Sequence, residues 1–180
     1  MTLPPAWPHG PQLPDAPPLG LWRAMLPTDV DAVHTLDARA YPHPWSRANF
    51  ADAIASGYVC ACLCAADGTL MGHVVVMRGV DEMHLLNITV APEHQGRGLG
   101  AAMLRDVVVW SQGEGADALW LEVRQSNERA RRLYVRGGFE AVGQRKGYYP
   151  DGRGREDAVV MRLALPAPRV GGAQLGTITP

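Results

Sequence analysis

Three places along this 180-residue chain hold side chains whose types and spacing suit chemistry. The first is Glu122, inside the run Leu119-Trp-Leu-Glu-Val-Arg124. On a strand, alternation puts Glu122 on one face with Trp120 and Arg124, while Leu119, Leu121 and Val123 take the other. A carboxylate in such an apolar run is costly to bury unless it has a partner or a task. The partner would be Arg124, two residues on; the task would be that of a general base. The second is Tyr134, which shares a helical stripe with Ala130 and Leu133. Its phenol, with an ordinary pKa of about 10, could serve as a proton donor. A core aromatic fits the same spacing. Asn127, at the head of that helix, suits an N-cap.

The third place is Asn87-Ile-Thr-Val-Ala-Pro-Glu-His-Gln-Gly-Arg-Gly-Leu-Gly-Ala101, where a strand ends near Val90 and a glycine-rich turn opens a helix. Glycines let backbone amides approach a ligand. The helix N-terminus favours an anion, and Arg97 adds a formal charge, so a pyrophosphate suits this place. Gly96-Arg-Gly-Leu-Gly-Ala101 formally matches the dinucleotide pattern, with Glu122 about the expected distance downstream. Against that, Ala91 to Gln95 intervene between strand and first glycine. No Gly-Lys-Ser/Thr follows, which excludes a Walker loop. An ordinary loop with a helix cap remains the plainer reading.

The elements that must position these residues are well punctuated. A first strand is expected over Leu19–Leu26. Thr28 reads as an N-cap, with Asp31 three residues on, ahead of Val30, Val33 and Leu36 at helical spacing. Ser46 caps a second short helix carrying Phe50 and Ile54. Strands over Tyr58–Ala65 and Thr69–Met77 join through Asp67-Gly68, a hairpin signal. A strand over His84–Val90 leads to a helix over Leu99–Gln112, with Leu99, Met103, Val107 and Trp110 as its apolar stripe. A strand over Leu119–Val123, a helix over Glu128–Arg136 and two closing strands over Ala141–Tyr149 and Ala158–Leu165 follow. The order β-α-α-β-β-β-α-β-α-β-β predicts a mixed α/β fold with a central, mostly antiparallel sheet of about seven strands and flanking helices.

Residues 1–18, with seven prolines, and residues 166–180 read as tails around a domain over 19–165. A chain of this length buries about two-thirds of its surface without a disulfide or metal staple. Lys plus Arg total 17 and Asp plus Glu 18, a balance that argues against a general nucleic-acid binder. The amino terminus lacks the features of a secretory signal, and no apolar run nears the roughly 20 residues that span a bilayer. A cytoplasmic location is the expectation, with no membrane partner. Cys60, Cys62 and Cys64, spaced by two, would share one face of a strand and read as a buried, reduced surface. The six histidines show no ligand spacing, so no metal is implied.

Gln95-Gly-Arg-Gly-Leu-Gly100 resembles the Gln/Arg-x-x-Gly-x-Gly/Ala element of the GNAT acetyltransferases, which also follows a fourth strand and opens a third helix. The likeness extends through Trp45-Ser46, Asp81-Glu82, Leu86-Asn-Ile-Thr-Val90, Leu119-Trp-Leu-Glu-Val-Arg124, Ser126-Asn127, Leu133-Tyr134, Gly138-Phe139, Tyr148-Tyr-Pro150 and Gly154-Arg-Glu-Asp157. These look like the bacterial RimI-type ribosomal-protein-alanine N-acetyltransferases, in order over roughly Leu19 to Leu163. The Pro-rich extension has no evident counterpart, and Gly137-Gly138 puts an extra glycine before Phe139.

That resemblance implies an acetyl-CoA-dependent N-acetyltransferase. It assigns Ile88, Thr89, Val90, Gln95, Gly96, Arg97, Gly98, Leu99, Gly100, Ala101 and Asn127 to acetyl-CoA, Glu122 to the base role and Tyr134 to the acid role. The fourth strand would splay from the fifth to admit the pantetheine arm. The acceptor implied is the N-terminal alanine of bacterial small-subunit ribosomal protein eighteen, with no nucleic acid bound directly and the enzyme a monomer. An α-amine, with a pKa of about 8 against about 10.4 for lysine, costs about 3.4 kcal/mol less to neutralise at pH 7. Tyr41-Pro-His-Pro-Trp45 and the Tyr148–Asp157 segment would frame the peptide, either as recognition platforms or as local packing. Asp37, Glu156 or Asp157 would favour basic residues in it, unless each is solvated or holds an arginine. Two other readings keep the same loop: a small-molecule amine acetyltransferase, and a non-catalytic acetyl-CoA-binding or ribosome-assembly module. The presence of both Glu122 and Tyr134 argues against the module.

Overall fold

The computed structural model describes residues 20–152 and 154–166; the two predicted tails lie outside the described residues, apart from Pro166. In chain order the elements are β1 (Leu21–Ala24), α1 (Val30–Ala40), α2 (Arg47–Ala55), β2 (Val59–Cys64), β3 (Leu70–Arg78), β4 (Glu82–Val90), α3 (Leu99–Gly113), β5 (Ala118–Arg124), α4 (Glu128–Arg136), β6 (Glu140–Asp151) and β7 (Gly154–Ala164). One seven-stranded sheet has the order β1-β2-β3-β4-β5-β7-β6. All neighbours are antiparallel except β4 and β5. This is the mixed sheet that the element order predicts.

Strand alternation sends each face of the sheet into its own core. Cys60, Cys62, Cys64 and Val75 pack with Met25, Val33, Phe50 and Ala53 from the α1–α2 side. The three cysteines are free and buried, and burial pushes the Cys60 and Cys62 thiols up to about 12. The other face buries Leu63, Val74, Val76, Leu119 and Leu121 against Met103, Val107 and Trp110 of α3 and Tyr134 of α4.

The start of α1 differs from the expectation. Thr28 is not its cap; a short 3₁₀ turn over Pro27–Asp29 comes first. Asp29 organises the turn instead, accepting from the Leu26 amide at 2.7 Å and from both Arg23 guanidinium nitrogens at 2.6 and 2.8 Å. Pro27 sets its φ and has no N–H to bond, so a tight turn forms before the regular helix. Ser46 caps α2 as expected: its hydroxyl accepts from the Asn49 amide at 3.2 Å, and Asn49 accepts from the Ser46 amide at 2.9 Å.

The feature that matters for function lies mid-sheet. β4 pairs with β5 only from Glu82 to Leu85, opposite Ala118 to Leu121. On its other side β4 follows β3 to Val90, but the register slips between Leu85 and Asn87. Leu86 is the extra residue of a bulge, and bulges bend a strand. Past it β4 stays with β3, while β5 stays with β7 as far as Arg124. The two parallel strands part company, and a wedge opens between them.

Candidate active site

Glu122 is the first β5 residue beyond the last β4–β5 pair, so it stands at the fork of the wedge. Which β4 groups face the gap follows from the ladder. The Ala91 amide bonds to the Met71 carbonyl at 2.8 Å, so residues 87, 89 and 91 turn their backbone groups to β3. Alternation then turns those of Ile88 and Val90 into the wedge. Thr89, predicted beside them, is turned away: its backbone serves β3, and its buried hydroxyl donates to Asp37 at 2.8 Å.

Carbonyls freed by the parting strands find side-chain donors, as buried backbone must. Tyr41 donates its hydroxyl to the Ile88 carbonyl at 2.8 Å, and Tyr149 donates to the Glu122 carbonyl at 3.0 Å. The Gln95 amide group donates to the Val90 carbonyl at 2.9 Å and accepts from Arg129 at 2.8 Å, tying β4 to α4 across the mouth. Tyr134 lies within electrostatic reach of both Tyr41 and Tyr149. Its phenol is buried, and burial first, then those two neighbours, push it far above the ordinary tyrosine value. No described residue hydrogen-bonds its hydroxyl. Tyr41 and Tyr149 are also raised, burial being the larger cause in each.

The loop after β4 has the predicted shape. Gly96 and Gly98 hold φ of +79° and +83°, a region that favours glycine. Gly96, Arg97 and Gly98 are exposed, while Leu99 is buried and anchors α3. The Ala101 and Ala102 amides both bond back to the Gly98 carbonyl at 3.1 Å. Those of Leu99 and Gly100 come before the first intrahelical bond and point out of the helix end beside Arg97. Gly100 packs between Leu133 and Val90, bringing α3, α4 and β4 to one corner. Asn127 caps α4, accepting from the Ala130 amide at 3.1 Å.

Several sequence expectations are corrected here. Glu122 does not pair with Arg124. Its carboxylate meets the Arg145 guanidinium at 2.7 Å, from a strand two places away. Arg124 instead bonds Glu156 at 3.2 Å and the Pro150 carbonyl at 3.0 Å, with its guanidinium 4.5 Å from the Tyr149 ring centre. Asp37, Glu156 and Asp157 are engaged within the fold. Asp37 is fully buried, accepting from Thr89 and from the Trp45 amide at 2.8 Å each, with His73 3.4 Å away. Burial works to raise its carboxyl, but His73, Thr89 and the Trp45 amide outweigh it and hold it below the usual range. Glu156 accepts from the Ser126 amide at 2.6 Å, and Asp157 from the Gly147 amide at 2.7 Å. Of the framing loops, Trp45 packs on Phe50 with ring centres 5.4 Å apart. Tyr148 is part-exposed beside Glu122, whose hydrogen bond, ahead of burial, raises the phenol. His43 approaches Asp151 to 3.6 Å and brings the two loops together. Arg145 had no marker in the sequence, and Tyr41, expected to frame the peptide, instead braces β4; each acts through a partner far along the chain.

A cleft of about 380 Å³ opens on the far flank of α4, lined by Arg131, Arg132, Val135, Arg136 and Met161 among others. Its lining includes none of the residues described above at the wedge.

Residues 30–139, which take in the parted strands and the glycine-rich loop at their mouth, match the model of the acetyltransferase (GNAT) family, which makes this an acyltransferase fold. The chain belongs to that family. Within it, the chain is 37% identical over 138 residues to the [ribosomal protein bS18]-alanine N-acetyltransferase of Escherichia coli (strain K12), covering 77% of this chain and 93% of that protein. It is 33% identical to a putative protein of the same name from Bacillus subtilis (strain 168), covering 79% and 94%. The crystal structure of the Escherichia coli ribosomal-protein-S18-alanine N-acetyltransferase superposes with a TM-score of 0.75 at 34% identity, over 87% of this chain and 98% of that one. Ard1 from Thermoplasma volcanium, at 21% identity and a TM-score of 0.72, shares the fold. The chain is thus an N-acetyltransferase by family, and the relatives it resembles here carry the bS18-alanine name. Among the described residues no helix is long and apolar enough to cross a membrane, and no cluster of three or more potential metal-ligating side chains occurs.

Proposed function

We propose that this enzyme transfers the acetyl group of acetyl-CoA to the N-terminal α-amine of an alanine-starting protein, with ribosomal protein bS18 as the acceptor. The observation that carries the reading is the position of Glu122 at the fork beside β4 amides that face the gap, with the Tyr134 phenol near the Tyr41 and Tyr149 hydroxyls that hold the freed carbonyls. The catalytic domain runs over 19–165.

In this reading the backbone of Ile88 and Val90 holds the pantetheine arm, with Thr89 keeping β4 in register between them. The amides and charge of Gln95, Gly96, Arg97, Gly98, Leu99, Gly100 and Ala101 hold the pyrophosphate. Gln95 and Leu99 contribute through their backbone, since one side chain braces the strand and the other is core. Asn127 adds its amide group while capping α4. Glu122 takes a proton from the acceptor's ammonium, directly or through water, so that the neutral amine attacks the thioester carbonyl. The Val90 amide polarises that carbonyl as negative charge develops on its oxygen. Tyr134 gives its proton to the departing sulfur and is restored by the second proton, which the attacking nitrogen sheds as the intermediate collapses; one proton thus ends on the CoA thiol and the one taken by Glu122 leaves to solvent. No acyl-enzyme is needed.

The test is mass spectrometry of an Ala-starting basic peptide incubated with acetyl-CoA and enzyme, beside an N-terminally blocked peptide. Acetylation is expected on the free α-amine alone, with Glu122→Gln slower by about 10² or more. No peptide product from an enzyme that still binds acetyl-CoA would refute the protein acceptor, and point to a small amine or a binding module.

A further inference from the structure

The wedge accounts for Glu122, but not for the cation seated on it. Arg145 belongs to β6, whose Cα partner on β7 is Ala158, itself opposite Arg124 on β5. To reach Glu122, its side chain crosses the whole of β7. A bulge aims it. The β6–β7 register slips between Arg145 and Tyr149, and Gly147 takes a φ of +55°. Both sides of the bulge are pinned by β7: Asp157 accepts from the Gly147 amide at 2.7 Å, while Arg155 donates to the Gly147 and Tyr148 carbonyls. The result brings Arg145 and Tyr148 together to one carboxylate, with the Arg145 guanidinium 5.3 Å from the Tyr148 ring centre. Arg145 stays largely exposed, at 59%, while Glu122 is at 23%. The cation therefore approaches from the solvent side, where an acceptor must also arrive.

An arriving N-terminus carries an ammonium group, because an α-amine with its ordinary pKa near 8 is mostly protonated at neutral pH. That ammonium and the Arg145 guanidinium seek the same carboxylate oxygens. Resting on the assignment of Glu122 as base, we propose that Arg145 is a positioning residue that guards the carboxylate. It occupies Glu122 in the unloaded enzyme, yields to the acceptor's ammonium, and returns after turnover, when its charge favours release of the proton that Glu122 has taken. Acceptors without a free amine cannot displace it, so the guard adds discrimination at the binding step.

Calorimetric titration of an Ala-starting peptide into the enzyme–CoA complex tests this, near pH 6 where the α-amine is protonated. Arg145→Gln should tighten the free-amine peptide by about two- to fivefold at low salt, the range for a half-exposed ion pair. The gain should fade at high salt. An N-acetylated peptide should bind equally to both proteins, and Arg145→Lys should stay near wild type. In a Glu122→Gln background, Arg145→Gln should change nothing. Weaker binding, or an equal change with the blocked peptide or in the Glu122→Gln background, would overturn the guard and leave the base assignment standing. Full turnover by Glu122→Gln alone would overturn the base assignment itself. Thermal melts of the Arg145 variants should match wild type, since the side chain is largely exposed.

Discussion

Gly72→Ala is the sharpest test of the link between the bulged strand and the cofactor. Gly72 stands opposite Val90 in the β3–β4 ladder. A Cβ at this position would lie 2.6 Å from the Thr89 carbonyl oxygen and 3.0 Å from the Met103 methyl carbon. The methionine end can swing aside. The carbonyl cannot, because it is the main chain of β4, so that strand must retreat by roughly half an ångström or more. Overpacking of this kind costs about 1–3 kcal/mol, which urea unfolding would read. The segment pushed aside carries the Ile88 and Val90 groups that face the wedge. Acetyl-CoA affinity, measured by calorimetry, should fall about tenfold, equivalent to about 1.4 kcal/mol. Gly143→Ala serves as the control: its nearest atom would be the Val160 Cβ at 3.9 Å. That variant should stay within about 0.5 kcal/mol of wild type and bind normally. If Gly72→Ala lost stability yet bound acetyl-CoA as before, β4 would not be where the cofactor lies, and the reasoning from the wedge would fail.

Two buried carboxylates should move stability with opposite signs. Asp37, held low by His73, Thr89 and the Trp45 amide, stabilises the fold above the ordinary aspartate value near 3.9 and loses that as pH falls through its folded value. Asp37→Asn should therefore cost about 3 kcal/mol in denaturant unfolding at pH 7, with the gap closing in acid. Asp106 is raised by burial, against a 2.8 Å bond from the Trp22 indole. Its contribution is intact below about pH 3.9 and lost as pH rises through the folded value, so Asp106→Asn should gain stability at pH 7 and match wild type in acid. Cys60 and Cys62, buried and raised to about 12, should ignore thiol reagents until the protein unfolds; labelling in native buffer would contradict the packing.

What the sequence disclosed was local. Helical and strand periods placed every element, Ser46 announced its cap, and the cysteine spacing forecast one buried face of β2, because each signal lies within a few residues of its effect. Thr28 misled because Pro27 and Asp29 could make a tighter turn that Arg23, from another element, completes. The wedge was expected only from the family resemblance and not from the residues, because it depends on where two ladders stop agreeing. Leu86 looks like any other strand residue, and only its lack of a partner on β3 shows the bend. Glu122 was legible as a carboxylate in need of company, but the company was not. Arg124, two residues away, was the natural choice, whereas Arg145 comes from the far side of β7 through a bulge set by Asp157 and Arg155. Asp37 illustrates the same limit. Its position on α1 suggested an exposed charge, and its burial follows from His73 and Thr89 on strands assembled much later in the chain.

The acid role proposed for Tyr134 poses the remaining physical problem, since in water a phenol raised far above 10 is a poor acid for a thiolate whose parent thiol ionises near 8.5. In water the transfer would run uphill, and more so as the phenol rises. Both anions are penalised by the same burial, however. The chain's own buried thiols move in that direction, with Cys60 and Cys62 pushed up to about 12 for want of water. A CoA sulfur leaving beside Tyr134 would be raised in the same direction, which narrows the mismatch that an exposed thiolate would face. The acid role proposed for Tyr134 thus requires a dry site, and the phenols of Tyr41 and Tyr149 on the freed carbonyls would help keep it so. Tyr134→Phe separates this role from packing. No described residue bonds the hydroxyl, so its removal should leave stability unchanged or slightly improved by urea unfolding. The kcat of peptide acetylation should fall by about 10² or more, with acetyl-CoA affinity held. A variant equally stable and equally fast would show that the thiolate leaves without help from Tyr134 and finds its proton in solvent.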